Sequence, residues 1–275
     1  MSATEELKKI VDEFPAEIAR DKEKVEAATA GIAKGGKQSV LGLISLLAEP
    51  GGAADAKPHF ALHCVVNYPL VVRDEALRKE ICQAIASQLE NNALLPENRA
   101  YLCQELQWAG RDEACEPLGR VLLDEAVTDA ATAALVAIGG ERAIVQFRAA
   151  LPKATGRPRL NVLGALAVLA DARSAEAFTQ ALGDMDREVR LAAADGLGRL
   201  GRPESAALLI AAADGAQGWE RTQMTKACLV LAEKLAASGN KPAARSIYGH
   251  LRRTRTTKAE LHVRDAAMQG LAALA

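Results

Sequence analysis

With 275 residues and a net charge of −1, the chain has no overall positive field that would hold it broadly to nucleic acid. Hydrophobic residues make up 49% of it and aromatic residues only 3%, so the interior has to be built mainly from Ala, Leu, Val and Ile. No run approaches the roughly 20 apolar residues of a membrane span, and the charged N-terminus lacks the apolar stretch of a signal peptide. We therefore expect a cytoplasmic protein without membrane contact.

The first 34 residues are predicted to form one or two charged helices. Ser2 and Glu5 have the spacing of a capping box, and Pro15 is placed to start a second helix that runs to the glycine pair at 35–36. This segment lacks the repeated pattern found further along the chain. We expect it to cover the apolar end of a helical stack.

From residue 38 onward apolar residues recur at helical spacing and never alternate as in a strand, which predicts an all-α fold. Helices are expected at 38–48 and 54–66, the second ending before Pro69. The rest of the chain alternates a first helix, a short turn and a second helix. The first helices are predicted at 74–90, 113–123, 143–151, 175–182, 204–213 and 241–251, and the second helices at 96–108, 128–138, 158–169, 188–200, 219–235 and 259–274.

A small apolar block recurs near the end of each second helix. The blocks start at residues 106, 135, 166, 197, 228 and 271, which are 29, 31, 31, 31 and 43 residues apart. An arginine stands seven residues before every block but one, where Thr128 replaces it. These arginines are Arg99, Arg159, Arg190, Arg221 and Arg264. A fixed period of this length indicates a stack of helical pairs.

The repeated positions predict specific packing roles. Small residues just before each block, such as Gly196, should let neighbouring helices approach closely, and the fourth block residue, such as Leu200, should fill the layer between pairs. Each arginine lies near the N-terminus of its helix, where the helix dipole disfavours a cation. A carboxylate or loop carbonyl of the adjacent turn should compensate, and Asp184 is the clearest candidate for Arg190. We read this ladder as structural.

Charge is distributed unevenly along the chain. Residues 74–129 have a net charge of −7, whereas residues 241–264 have a net charge of +6. Four cations in the second segment, namely Arg252, Arg253, Arg255 and Lys258, form the best local candidate for an interaction site. They form either a solvated loop face or the docking site of an acidic partner or RNA. The absence of interleaved aromatic residues weakens the RNA interpretation.

Other chemistry-bearing residues favour ordinary structural roles. His59 and His63 have a spacing that can hold zinc, but no HExxH glutamate and no nearby carboxylate cluster accompany them, so we expect no metal. Five widely spaced cysteines without a CxxC pair predict buried free thiols in a reducing compartment. Trp108 occupies a block position that is normally filled by a core residue. No catalytic arrangement, phosphate loop or dinucleotide motif is present, which predicts neither enzyme activity nor a cofactor.

Residues 183–201, with sequence GDMDREVRLAAADGLGRLG, resemble the HEAT repeat, in particular the HEAT-like repeat named after phycobilisome lyases. The resemblance extends over roughly residues 37–275 and implies an α-α superhelix with the arginine-bearing helices on its inner face. Residues 231–248 look instead like a tetratricopeptide turn, which would explain the 43-residue spacing. We therefore expect an N-terminal helical cap at 1–36 and a HEAT-repeat solenoid of about seven helical pairs at 37–275.

The resemblance implies a non-catalytic scaffold or adaptor that binds protein partners, and the basic stretch near the C-terminus predicts that a partner bound there is acidic. Two alternatives remain open at this point. The chain could be a bilin lyase or a lyase-like chromophore chaperone, or the repeat module of a larger protein, because no polar capping helix follows the last block.

Overall fold

The computed structural model describes residues 3–14, 21–52 and 54–274, which contain sixteen α-helices and no strand. The helices form two compact units, Met1–Pro158 and Arg159–Ala275. The predicted all-α class is therefore confirmed. The predicted helix starts at Ser2 and Pro15 lie outside the described residues, as does the final block residue, Ala275. None of the described helices is both long enough and apolar enough to span a membrane.

The described residues of the first unit contain nine complete helices and the start of a tenth. These are α1 (Ala3–Asp12), α2 (Lys22–Ala33), α3 (Gly36–Ser45), α4 (Ala56–Val72), α5 (Glu75–Ala86), α6 (Pro96–Ala109), α7 (Asp112–Arg120), α8 (Thr128–Ile138) and α9 (Gly140–Ala150). Helices α3, α5, α7 and α9 pack in succession as one layer, and α4, α6 and α8 pack in succession as the other. Helices α1 and α2 contact α3 and α4 at one end of these layers.

The second unit holds most of α10 (Gly156–Val168), whose first three residues belong to the first unit, and six further helices. These are α11 (Ala175–Ala181), α12 (Arg187–Leu200), α13 (Ser205–Gly215), α14 (Gly218–Ala237), α15 (Lys241–Thr254) and α16 (Leu261–Ala273). The arginine-bearing helices α12, α14 and α16 pack in succession, each against the preceding first helix. Helix α14 has 20 residues where α12 has 14, which accounts for part of the 43-residue spacing.

Helix α4 continues through Pro69 to Val72, so the predicted helix end before Pro69 is wrong. A proline removes one backbone donor and crowds the preceding turn, which normally ends a helix. Here only three residues of α4 follow Pro69, and the proline ring is buried. The interruption therefore affects only the last turn, while the body of α4 keeps its contacts with α3, α5 and α6.

The predicted layer-filling residue, the fourth of its block, is buried in the last two blocks, where it is Leu231 and Leu274, but in the blocks at 135, 166 and 197 the first residue takes this place. Leu106, Leu135, Leu166, Leu197 and Cys228 are all buried at this first position. At the fourth position Ile138, Leu169 and Leu200 are only half-buried, which corrects the predicted register for these three pairs. Helical geometry explains the difference, because residues three apart are displaced by about 60° around the helix.

Small residues before the blocks do allow close helix contact. A Cβ added to Gly196 would lie 2.7 Å from the ring of Phe178 in α11. The same addition to Gly270 would lie 2.5 Å from the ring of Tyr248 in α15. Both distances are shorter than a normal carbon–carbon contact. Each glycine therefore leaves room, because it has no side chain, for an aromatic ring of the preceding helix.

Candidate protein-binding surface

The arginine ladder is a series of ion pairs between successive helical pairs. The Arg99 guanidinium lies 2.8 Å from the Asp124 carboxylate, and that of Arg159 lies 2.8 Å from the Asp184 carboxylate. Two further pairs continue the ladder in the second unit. They are Arg190 with Glu220 at 2.7 Å and Arg221 with Glu260 at 2.6 Å. Each of these four arginines thus pairs with an acid in the first turn of the next second helix or in the loop just before it.

Asp184 compensates Arg190 as predicted, through its backbone carbonyl rather than through its carboxylate. Arg190 donates to the backbone carbonyls of Asp184, at 2.8 Å, and of Met185, at 3.0 Å. The Asp184 carboxylate serves Arg159 instead. The loop carbonyls therefore compensate Arg190 within its own helical pair. The Asp184 carboxylate instead links this helical pair to the preceding one, which contains Arg159. Arg264, in the last described pair, reaches only the adjacent Asp265, at 3.9 Å.

The gap in the ladder at Thr128 is covered by an ion pair of reversed polarity. Thr128 is fully buried, and its neighbour Asp129 accepts a hydrogen bond of 2.9 Å from Nε of Arg157. The acid here belongs to the earlier helical pair and the arginine to the later one. Both residues are more than half exposed, so salt will screen this pair and its contribution to stability is small.

An exposed aromatic residue lies beside the ladder in the second unit. We define the turn edge of this unit as the turns at 182–186, 216–217 and 255–260 with the first residues of α12, α14 and α16. Trp219 is 53% exposed, and the Arg187 guanidinium lies 5.1 Å from the centre of its indole ring. Met185 in the preceding turn is 99% exposed, and Leu261 begins α16 on the same edge. The repeat pattern gave no reason to single out these four residues.

Contacts between the helices show that this edge is continuous. Arg187 joins the start of α12 to the start of α14 through Trp219, and the Arg221–Glu260 pair joins the start of α14 to that of α16. Large apolar side chains that stay exposed together mark interaction sites more often than scattered ones do. The turn edge is therefore the best candidate for partner contact in this unit.

Unpaired cations lie at one end of the turn edge. Arg252 and Arg253 in the last turn of α15 and Lys258 in the following turn are exposed, and none of them reaches an acid among the described residues. The acids of the edge are already engaged. Glu220 and Glu260 are bound by ladder arginines, which lower the pKa of both carboxyls. This end of the edge therefore has an excess of positive charge.

Arg255 does not belong to the exposed basic group, which corrects its predicted place. Its side chain is 0% exposed, and its guanidinium lies 2.7 Å from Asp214 and 3.7 Å from Glu260. Burial by itself raises the pKa of Asp214, but hydrogen bonds from Arg255 and His250 bring it below the ordinary value. Arg255 is thus a buried residue that links α13 to the turn before α16 through its ion pairs. A sequence pattern alone does not distinguish it from its exposed neighbours.

The two histidines of α4 make protein contacts. His63 Nδ1 lies 3.0 Å from the carboxylate of Glu105, which is buried in α6. The ring of His59 packs 4.4 Å from that of Tyr101, whose hydroxyl donates to the His59 carbonyl at 2.7 Å. Within the described ranges, no cluster of three His, Cys, Asp or Glu side chains is arranged to hold a metal ion.

The His63–Glu105 contact predicts a pH dependence of stability. The hydrogen bond to Glu105 raises the pKa of His63 above its ordinary 6.5, although partial burial opposes the shift. A raised folded-state pKa stabilises the fold fully below pH 6.5, and this stabilisation is lost as pH rises through the folded value. The difference in unfolding free energy between wild type and His63→Gln should therefore shrink from pH 6 to pH 8. Urea unfolding at both values measures it, and an unchanged difference would contradict the contact.

Comparison with known proteins agrees with this helical-repeat description. Residues 149–229 match a family model described as HEAT repeats. No curated protein sequence matches the chain. Among solved structures, an engineered protein is 16% identical, with 98% of this chain and 78% of that one covered and a TM-score of 0.48.

Two other solved structures also align over nearly the whole chain. The complex of CpcE and CpcF of phycocyanin lyase from Nostoc sp. PCC7120 is 18% identical, with 96% of this chain and 98% of that one covered and a TM-score of 0.36. A designed armadillo repeat protein in complex with the peptide (KR)4 is 19% identical, with 98% and 100% covered and a TM-score of 0.30. None of these structures is similar enough to transfer a function, and the bilin-lyase alternative stays a prediction.

The stacked helical pairs and the arginine ladder define an all-α helical-repeat protein. Its residues 149–229 match the HEAT-repeat family model, which confirms the resemblance of residues 183–201. The proposed boundary between a cap at 1–36 and a repeat region at 37–275, and the tetratricopeptide character of 231–248, stay predictions.

Proposed function

We propose that the chain is a non-catalytic protein-binding scaffold, and that the turn edge of its second unit docks an acidic segment of a partner protein. The observation that carries this proposal is the exposed Trp219, held against Arg187 beside the fully exposed Met185. Tryptophan, arginine and methionine are enriched in the centres of protein interfaces, and tryptophan and arginine dominate binding energies there. A stacked arginine also limits the motion of the indole, so less entropy is lost on binding.

The charge of the turn edge specifies the partner. Arg252, Arg253 and Lys258 have no acid partner among the described residues, whereas Glu220 and Glu260 are neutralised by the ladder. A partner segment that places apolar side chains on Trp219 and Leu261 and carboxylates on these cations matches both features. The long-range attraction between this segment and the turn edge will weaken as the salt concentration rises, because the cations are exposed.

The proposed location is the cytoplasm, and the cysteines support it. All five cysteines are free, and four of them are buried. Burial raises the pKa of Cys82, Cys103 and Cys228 to about 12, so their thiols stay protonated and unreactive at neutral pH. Such thiols act as small apolar core residues and are compatible with a reducing compartment.

Peptide selection tests the partner class. Peptides selected from a displayed random library on the full chain should combine Asp or Glu with aromatic or aliphatic residues. Trp219→Ala should weaken binding of the selected peptides about thirtyfold, as expected for a hot-spot residue worth ~2 kcal/mol. Fluorescence anisotropy with a labelled selected peptide measures the loss.

A charge-matched pair of variants separates local recognition from overall charge. Arg252→Gln/Arg253→Gln should weaken binding of the selected peptides several-fold. Lys226→Gln/Lys241→Gln removes the same charge from other exposed positions of α14 and α15 and should leave binding unchanged. Basic selected peptides, or equal binding by wild type and Trp219→Ala, would refute the proposed partner class or its site.

A further inference from the structure

A cleft of about 920 Å³ opens in the first unit between the starts of α5, α7 and α9 and the ends of α6 and α8. Its size falls within the ~300–1,000 Å³ typical of small-molecule sites. The cleft has no part in the protein-binding surface proposed above, since all its lining residues precede Pro158. It contains both an exposed aromatic wall and several cations.

The floor of the cleft is rigid because a buried arginine joins three helices. Arg78 of α5 donates to the Ala109 carbonyl at the end of α6, at 2.6 Å, and to Glu113 at the start of α7, also at 2.6 Å. The same guanidinium binds Glu75 at 2.8 Å. The positions of the surrounding groups are thus set before any ligand arrives, which reduces the cost of binding.

The wall of the cleft is formed by Trp108, whose predicted place in the core is wrong. The residue is 69% exposed, because Leu106 two positions earlier occupies the buried face of α6. An indole presented to solvent at the mouth of a cleft offers a flat surface for stacking a planar ring. Ala137 and Ile138 at the end of α8 extend the apolar side of the same cleft.

The cations of the cleft retain free donor capacity, whereas its acids are engaged. Hydrogen bonding to Arg78 lowers the pKa of Glu75. Burial by itself raises the pKa of Glu113, but hydrogen bonds, first of all from Arg78, bring it below the ordinary value. Arg111 and Arg142 are 63% and 70% exposed, and each makes a single ion pair at 3.4 and 3.3 Å. A guanidinium has five N–H donors, so both can also bind an anion.

We infer that this cleft binds a small planar aromatic anion, with its ring stacked on Trp108 and its carboxylate or sulfonate bound by Arg111 and Arg142. The surroundings favour a small ligand over a polyanion. Residues 74–129 have a net charge of −7, so an extended phosphate backbone would be repelled on either side of the cleft. The cleft itself is lined by four cations and three acids, so a ligand with one or two negative charges meets a local excess of positive charge.

A pair of dyes tests this inference on the full-length chain. The probe is 8-anilinonaphthalene-1-sulfonate, and N-phenyl-1-naphthylamine is its uncharged counterpart. The anionic dye should bind and quench Trp108 emission in a Trp219→Phe background. Trp108→Leu should lower the affinity for both dyes. Arg111→Gln/Arg142→Gln should lower the affinity for the anionic dye about tenfold and leave that for the uncharged dye unchanged.

The control variant removes the same amount of positive charge from a different place in the first unit. Arg120→Gln/Arg157→Gln removes two exposed arginines of the same unit from outside the cleft and should leave both dyes unaffected. Circular dichroism confirms that each variant is folded. The inference is overturned if Trp108→Leu or Arg111→Gln/Arg142→Gln binds the anionic dye as wild type does. It is also overturned if Arg120→Gln/Arg157→Gln loses as much affinity for the anionic dye as Arg111→Gln/Arg142→Gln does, or if Arg111→Gln/Arg142→Gln weakens binding of the uncharged dye as much as binding of the anionic dye.

Discussion

Replacing Arg255 by alanine is expected to destabilise the second unit by about 3 kcal/mol. Removing one partner of a buried ion pair typically costs ~3–5 kcal/mol, because the remaining charge stays desolvated. The low end applies here, since Asp214 is 38% exposed and keeps its contact with His250. Urea unfolding followed by Trp219 fluorescence in a Trp108→Phe background reports this unit alone.

Arg253→Ala is the matched control for this experiment. Arg253 lies two residues earlier in the chain, is exposed, and reaches no acid in the described part of the chain. Its replacement should change the unfolding free energy by less than about 0.5 kcal/mol. Equal urea midpoints for Arg255→Ala and Arg253→Ala would show that Arg255 is solvated, as the sequence alone suggests.

Leu197→Ala is expected to cost about 3 kcal/mol, whereas Leu200→Ala in the same helix should cost about 1 kcal/mol. Leu197 is 1% exposed and lies in the layer between helical pairs, whereas Leu200 is half-buried. Deleting a fully buried leucine side chain leaves a cavity, while a half-buried site loses less apolar contact and admits water. The same fluorescence assay of the second unit measures both variants.

This comparison tests the register of the repeat directly. For α12 the sequence pattern places the layer-filling residue at Leu200, and the structure places it at Leu197. A larger loss for Leu200→Ala than for Leu197→Ala would contradict the structure. Both substitutions remove the same atoms and leave helix propensity nearly equal, so packing alone distinguishes them.

Local sequence was sufficient where the determining physics is local. Helix α8 has the predicted bounds Thr128–Ile138, and α11 and α12 differ from prediction by one residue. Their ends are marked by glycines and by the cap residue Asp186, which act within a few residues. Gly196 was also correctly assigned to close packing, because a small residue that recurs at the same position of each repeat is typical of close helix contact.

The candidate sites depended on contacts between distant residues. Arg252, Arg253 and Arg255 are indistinguishable as a sequence run, yet only Arg255 is buried against Asp214, 41 positions earlier. The ladder acids follow their arginines by 25, 30 or 39 residues, a spacing too irregular to read from the chain. Trp219 and Arg187 are likewise brought together by the packing of α12 on α14.

The sequence by itself determined the all-α class, the helical-pair period and the arginine that marks every second helix but the one beginning at Thr128. These follow from periodicity and turn chemistry, which operate within a single repeat. Only the tertiary structure decided which face of each helix is buried, which cations remain unpaired and where Trp108 and Trp219 are exposed. Burial and pairing depend on the neighbouring helices, and stacking places side chains in contact that lie 25 or more residues apart in the chain.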